Sequence, residues 1–174
     1  MRRFSLIRNA APVRMNTCSR CKERPGAHSF VPVLLSGGCT YIYTAPARAE
    51  HITTPEQFAV FKTHLEPLRA TRWIWIMDCR DMTTAHYTNT TFTQLMMTCL
   101  ANEHEDSLQD IWILNAGFLI HGSVAFLRTF LPGQTMQKLR VTKVADLEHV
   151  APTPLQEWLN AVDRQSKDAT LFHV

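Results

Sequence analysis

The sequence predicts an α/β fold: a small mixed, mostly parallel sheet flanked by helices. Three observations predict it. Trp73 to Met77 (WIWIM) and Ile111 to Leu114 (IWIL) are continuous apolar runs. Such runs need cover on both faces, as central parallel strands do. Between them Phe92, Leu95, Met96, Cys99 and Leu100 recur at the spacing of one helical face. Strand, helix, strand is a βαβ unit, whose crossover is right-handed. Finally, 174 residues with 45% hydrophobic and 19% charged content suffice for one sizeable core and are too few for two ordinary domains.

The remaining elements follow in chain order. Phe30 to Leu35 (FVPVLL) reads as a strand, and Pro32 assigns it to a sheet edge. Gly37-Gly38 makes a turn, and Thr40 to Thr44 (TYIYT) is β-rich. Thr54-Pro55-Glu56-Gln57 carries an N-cap hydroxyl, proline at the first helical position and glutamine to close a capping box. Phe58, Phe61, Leu65 and Leu68 continue that helix until Pro67 ends or kinks it. After Ile111 to Leu114 the chain breaks at Asn115-Ala116-Gly117. Leu119, Ser123, Phe126, Leu127, Phe130 and Leu131 are then spaced for an apolar helix. Pro132-Gly133 turns the chain, and Leu139 to Lys143 alternates as a strand. Thr153-Pro154-Leu155-Gln156 repeats the capping signature, with Leu155, Trp158, Leu159 and Val162 on the face behind it.

Charge is unevenly placed. The net charge is +3, yet the stretch through Arg24 alone carries seven basic residues and one acid, which leaves the remainder at −3. The expectation is a basic, poorly ordered arm over 1–28 and a single domain over 29–174. A mildly acidic domain argues against a nucleic-acid-binding core. The arm suits weak attraction to an anionic membrane surface and is compatible with mitochondrial targeting, being Arg-rich with its first acid at Glu23. Without that targeting, a cytoplasmic, peripherally membrane-associated protein is expected. Five cysteines at irregular spacing fit free thiols in a reducing compartment. Ile111 to Leu127 lacks charged residues, but Asn115, Gly117, His121 and Gly122 interrupt it, so strand and helix fit better than a membrane span.

Motifs for chemistry are sparse. Cys18 and Cys21 form a CxxC pair that His28 and Cys39 are placed to extend, but the spacing matches no standard zinc ribbon or finger. No metal site is therefore expected. The eight histidines include no HxH or HExxH. Phosphate-loop, dinucleotide and nucleophile-elbow motifs are absent, so neither a cofactor nor a catalytic residue is expected. Asp78 and Asp81 stand at a strand end where α/β enzymes place functional groups. A small enzyme using both is one alternative; a strand-ending, turn-forming Asp78 is the preferred reading.

The run from Asp110 to Val141 resembles the CRAL-TRIO lipid-binding family. Ile111 to Ala116 matches that family's strand and Asn-Ala, Phe118 to Leu131 its lid helix, and Lys138-Leu139 its Lys-Ile pair. The resemblance extends over about Phe30 to Trp158 and is specific over Asp106 to Val141. It implies non-enzymatic binding, and transfer, of a hydrophobic ligand or phospholipid, phosphoinositides included, with transient membrane contact. Lys138 and Asp106 fall on the headgroup positions. Phe118, Leu119, His121, Phe126, Leu127, Phe130, Leu131 and Met96 fall on the lid or pocket, and Gly117 and Gly133 on the hinges. Gly117 replaces the family's proline, and the helical N-terminal lobe is not recognisable. Val144 to Val150 (VADLEHV) resembles the BCH-type branch. That implies a second reading, a protein-interaction module that self-associates as a homodimer or holds a partner.

Overall fold

The computed structural model describes residue 15 and residues 17–118 and 133–171. Its centre is a five-stranded sheet in the order β1-β2-β3-β4-β5. The strands are β1 (Val31–Ser36), β2 (Cys39–Thr44), β3 (Arg72–Asp78), β4 (Leu108–Leu114) and β5 (Leu139–Thr142). β1 and β2 are antiparallel, and every later pair is parallel. The sheet is thus mixed and mostly parallel, as the sequence predicts.

The hairpin explains its glycines. Ser36 pairs with Cys39, leaving Gly37 at φ 57° and Gly38 at φ 70° as the whole loop. A two-residue loop with both residues left-handed matches strand twist, and glycine adopts it without strain. Pro32 lies on edge strand β1, where the register shifts between Pro32 and Leu34.

The capping box forms as read. Helix α2 (Pro55–Lys62) opens with Thr54 Oγ1 accepting the Gln57 N–H at 3.2 Å, while Gln57 Oε1 accepts the Thr54 N–H at 3.2 Å. The helix is shorter than its apolar spacing suggests. It stops at Lys62, and Pro67 falls in a separate 3-10 turn, Glu66–Leu68. A short helix α3 (Thr84–Tyr87) precedes α4 (Thr90–Glu103), which Asn89 caps by accepting the Phe92 N–H at 3.1 Å. Helix α5 (Gly133–Gln137) leads into β5. Helix α6 (Thr153–Leu171) corrects one expectation, because Thr153 lies inside it rather than at its N-cap. The Pro152 carbonyl accepts both the Leu155 and Gln156 N–H groups, and the Gln156 side chain donates to the Val144 carbonyl at 2.8 Å instead of closing a box.

Strand alternation divides the core in two. Ile42, Trp73, Trp75, Ile111 and Ile113 meet Phe58 and Phe61 of α2 and Met96, Cys99 and Leu100 of α4. Tyr41, Tyr43, Ile74, Ile76, Trp112 and Leu114 meet Leu155, Leu159 and Val162 of α6. Both faces are covered, which is why β3 and β4 read as unbroken apolar runs.

The packed domain also begins ahead of residue 29. Helix α1 (Ser19–Glu23) and the turn after it hold Cys18, Ala27 and His28 buried. Arg20 and Arg24 pair with Glu50 at 2.8 and 2.7 Å. Part of the expected arm therefore belongs to the fold. Among the described residues no helix is long and apolar enough to cross a membrane.

Leu100 is fully buried between α4 and the sheet. Leu100→Ala is expected to cost about 2–5 kcal/mol through the cavity it leaves. Urea unfolding checks this as a lowered midpoint with an unchanged slope.

Candidate functional site

A cavity of about 530 Å³ opens on the α2/α4 side of the sheet. Its floor is Trp75, Met77, Ile111, Ile113 and Leu139, and its walls include Phe61, Phe92, Met96 and Met97. Strand alternation supplies the floor, and the helical spacing of α4 supplies Phe92 and Met96. The Trp75 indole N–H donates to Thr44 Oγ1 at 2.8 Å, so its polar atom is satisfied within the wall. At the rim the rings of His51 and His86 lie 4.5 Å apart, and His86 Nδ1 accepts the Thr83 N–H at 3.0 Å. Glu50 is the carboxylate of the lining, and neither lysine nor arginine occurs among the described lining residues. The size and apolar lining fit a small-molecule or single-chain lipid site.

The residues expected from sequence distribute unevenly around this cavity. Met96 forms part of its wall and is buried. Phe118 is 92% exposed and lines none of it. Leu119, His121, Phe126, Leu127, Phe130 and Leu131, the body of the expected lid, lie outside the described residues. Lys138 lines a separate polar cleft with Tyr41, Arg72, Asp110 and Arg140, and its ammonium donates to the Glu105 carbonyl. Leu139, one residue on, reaches the apolar cavity instead. Asp106 is exposed, and no ion pair joins it to Lys138 among the described residues.

The backbone around the expected hinge positions has its own geometry. The left-handed residue at the end of β4 is Asn115, at φ 53°. A Cβ added at Gly117 meets nothing within 4 Å, so glycine is not sterically required there. Gly133 begins α5.

The CxxC pair gains partners that sequence spacing does not reveal. His28 joins Cys18 and Cys21, but the fourth group is His64, in the turn after α2. Cys39 sits on the opposite face, beside Tyr41 in the polar cleft. Cys21 and His64 are 43 positions apart, and only the docking of α1 against α2 brings them together.

Asp78 is buried and saturated. Its carboxylate accepts from Tyr43 Oη at 2.7 Å, Asn115 Nδ2 at 2.9 Å, the Arg80 N–H at 3.1 Å and Arg80 Nη2 at 2.7 Å. Burial acts to raise its pKa, but the donors Arg80, Asn115 and Tyr43 outweigh burial and hold it below the usual range. Burial and the neighbouring Asp78 charge push the Tyr43 phenol upward in turn. The three donor residues tie together the C-terminal ends of β2, β3 and β4. Asp81 is exposed at φ 60° and takes no part in this set. The strand-ending role read from the sequence is the one the contacts support.

A depressed carboxylate stabilises the fold above its unfolded pKa, near 4, and that stabilisation is lost as pH falls through the folded pKa. Asp78→Asn is therefore expected to cost about 1–3 kcal/mol at pH 7. In urea unfolding the gap between wild type and variant should narrow as pH drops below about 4.

Comparison with known proteins gives one positive result. No curated protein matches the chain. The CRAL/TRIO domain profile matches residues 57–157, the span from α2 into the first turns of α6. It contains β3, α4, β4 and β5, and with them most of the apolar cavity. With more than half of its length matched, this chain belongs to the CRAL/TRIO domain family, which binds lipophilic ligands.

Proposed function

We propose that the chain binds an uncharged lipophilic small molecule or lipid in the cavity between α2, α4 and the floor formed by β3, β4 and β5. The observation that carries this reading is the lining itself. Aromatic, methionine and branched aliphatic side chains form it, with histidine, threonine and asparagine near the rim and no cation among the described residues. Methionines such as Met77, Met96 and Met97 adapt to irregular apolar shapes. Each methylene moved from water into such a site gains about 0.8 kcal/mol. A chain of ten or so offsets the usual costs of association without any ion pair.

An anionic headgroup fits this cavity less well. The one lysine that the family resemblance points to opens on the other cleft, and neither lysine nor arginine lines this one among the described residues. The rim histidines and Asn89 suit a hydroxyl, carbonyl or ester instead.

A cover over the bound ligand is part of the proposal. The apolar helix that the sequence predicts at about 118–131, which from residue 119 on lies outside the described residues, would serve as a lid that opens at a membrane surface. No covalent step is required.

Titration of the full chain with a fluorescent long-chain alcohol tests the reading. Met97→Trp, which fills the cavity from its wall, should weaken binding by about tenfold or more. Lys138→Ala should leave it within about twofold. A wild type that ignores the alcohol but takes up phosphoinositide in a Lys138-dependent way would overturn the uncharged assignment.

A further inference from the structure

The four groups near the N-terminus have the geometry of a coordination site. Cys18 Sγ lies 3.5 Å from His28 Nδ1, and Cys21 Sγ lies 3.7 Å from the same nitrogen. Cys21 Sγ to His64 Nε2 is 3.5 Å, and His28 Nδ1 to His64 Nε2 is 3.2 Å. All four atoms fall within 4.8 Å of one another. A tetrahedral zinc ion has Zn–S bonds of about 2.3 Å and Zn–N bonds of about 2.0–2.1 Å, which sets its ligand–ligand edges at about 3.3–3.8 Å. These four separations follow those edges closely.

Hydrogen bonding alone does not account for the convergence. His28 Nδ1 faces Cys18, Cys21 and His64 at once. One ring nitrogen has a single proton or a single lone pair, so it satisfies one of the three. Both cysteines are free thiols, so no disulfide explains their approach. Cys18, His28 and His64 are buried, so this convergence of donor atoms is set by the packing of the fold.

We infer that Cys18, Cys21, His28 and His64 form a structural Zn²⁺ site. Two thiolates and two imidazoles are the donor set zinc prefers. With four protein ligands no position stays open for a substrate, so the role is structural rather than catalytic. The surroundings support the ligands. The Cys21 N–H donates to Cys18 Sγ at 3.3 Å, which stabilises a thiolate. Gly26, at φ 82°, turns the chain so that His28 points back at the pair. Phe30 stacks on the His64 ring at 5.4 Å, and Phe61 meets His28 edge-on at 5.4 Å, fixing both imidazoles.

The site has a distinct place in the molecule. Cys18, Cys21 and His28 precede the span that matches the CRAL/TRIO domain, whereas His64 lies within it. Zinc would therefore staple the N-terminal segment to the lipid-binding fold. His28 and Phe61 also line the apolar cavity, so the staple forms one of its walls. A second group, Cys99, Glu103 and His104, has a simpler explanation, since Lys62 and Arg69 already pair with Glu103.

Elemental analysis of the full chain, expressed with added zinc and dialysed against a mild chelator, tests the assignment. About one zinc per chain is expected. Cobalt exchange should give intense tetrahedral bands together with thiolate-to-cobalt charge transfer. Cys21→Ser and His64→Gln should each lower retained zinc by about tenfold or more, while Cys39→Ser and Cys99→Ser retain it. Should the ligand variants fail to fold, the cobalt spectrum of the wild type still decides the matter. A wild type without tightly held metal, a six-coordinate cobalt spectrum lacking charge transfer, or zinc that depends on Cys99 instead of Cys21 would each overturn the site. None of these readouts depends on the lipophilic ligand.

Discussion

One constraint organises this molecule: strands β2 to β5 advance through the sheet in a single direction. Right-handed crossovers between such strands must all use the same face. The described crossover helices obey, with α2 and α4 packed on the side of Ile42, Trp75 and Ile111. The opposite face is left to α6, whose Leu155, Leu159 and Val162 close it against Tyr43, Ile76 and Trp112. One face is therefore sealed by one well-packed helix. The other is assembled piecewise, and the floor at Met77, Ile113 and Leu139 opens into the cavity. The cavity is a consequence of connectivity before it is a matter of particular side chains.

Two polar devices hold the ends of this arrangement. At the C-terminal edge of the sheet, the buried Asp78 carboxylate gathers donors from β2, from the loop after β3 and from Asn115 after β4. The left-handed Asn115 is what lets its amide reach back. This gives the Asn-Ala signature after β4 a physical reason: asparagine tolerates that backbone and supplies a donor. On the α2 side, the cysteine and histidine cluster draws the N-terminal segment onto the turn after α2. Ion pairs of Arg20 and Arg24 with Glu50 reinforce that docking, though exposed pairs contribute little.

The fold was largely legible in the chain. Unbroken apolar runs at β3 and β4, the Thr54 capping box and the Gly37-Gly38 hairpin all encode local physics that tertiary structure did not override. Where reading failed, the determinant was nonlocal. Phe58 to Leu68 carries helical spacing, yet Leu65 and Leu68 are buried after the helix has ended. Thr153 looks like a cap, but the Pro152 carbonyl and a Gln156 bond to Val144 place the helix start differently. His64 was invisible as a partner of Cys18 because spacing rules count along the chain, and this cluster closes through packing. Lys138 falls on a family position, but it sits in the turn before β5 and lines the polar cleft, whereas Leu139, the first residue of that strand, lines the apolar cavity.

The proposed occupant of the cavity on the α2/α4 face is an uncharged lipophile. Native mass spectrometry of the gently purified full chain, followed by organic extraction and identification of the released compound, tests it most directly. A neutral, largely hydrocarbon molecule is expected, bound at no more than one per chain, lost from Met97→Trp and retained by Lys138→Ala. An anionic phospholipid whose retention requires Lys138, or a chain that stays empty when offered neutral lipids, would contradict it.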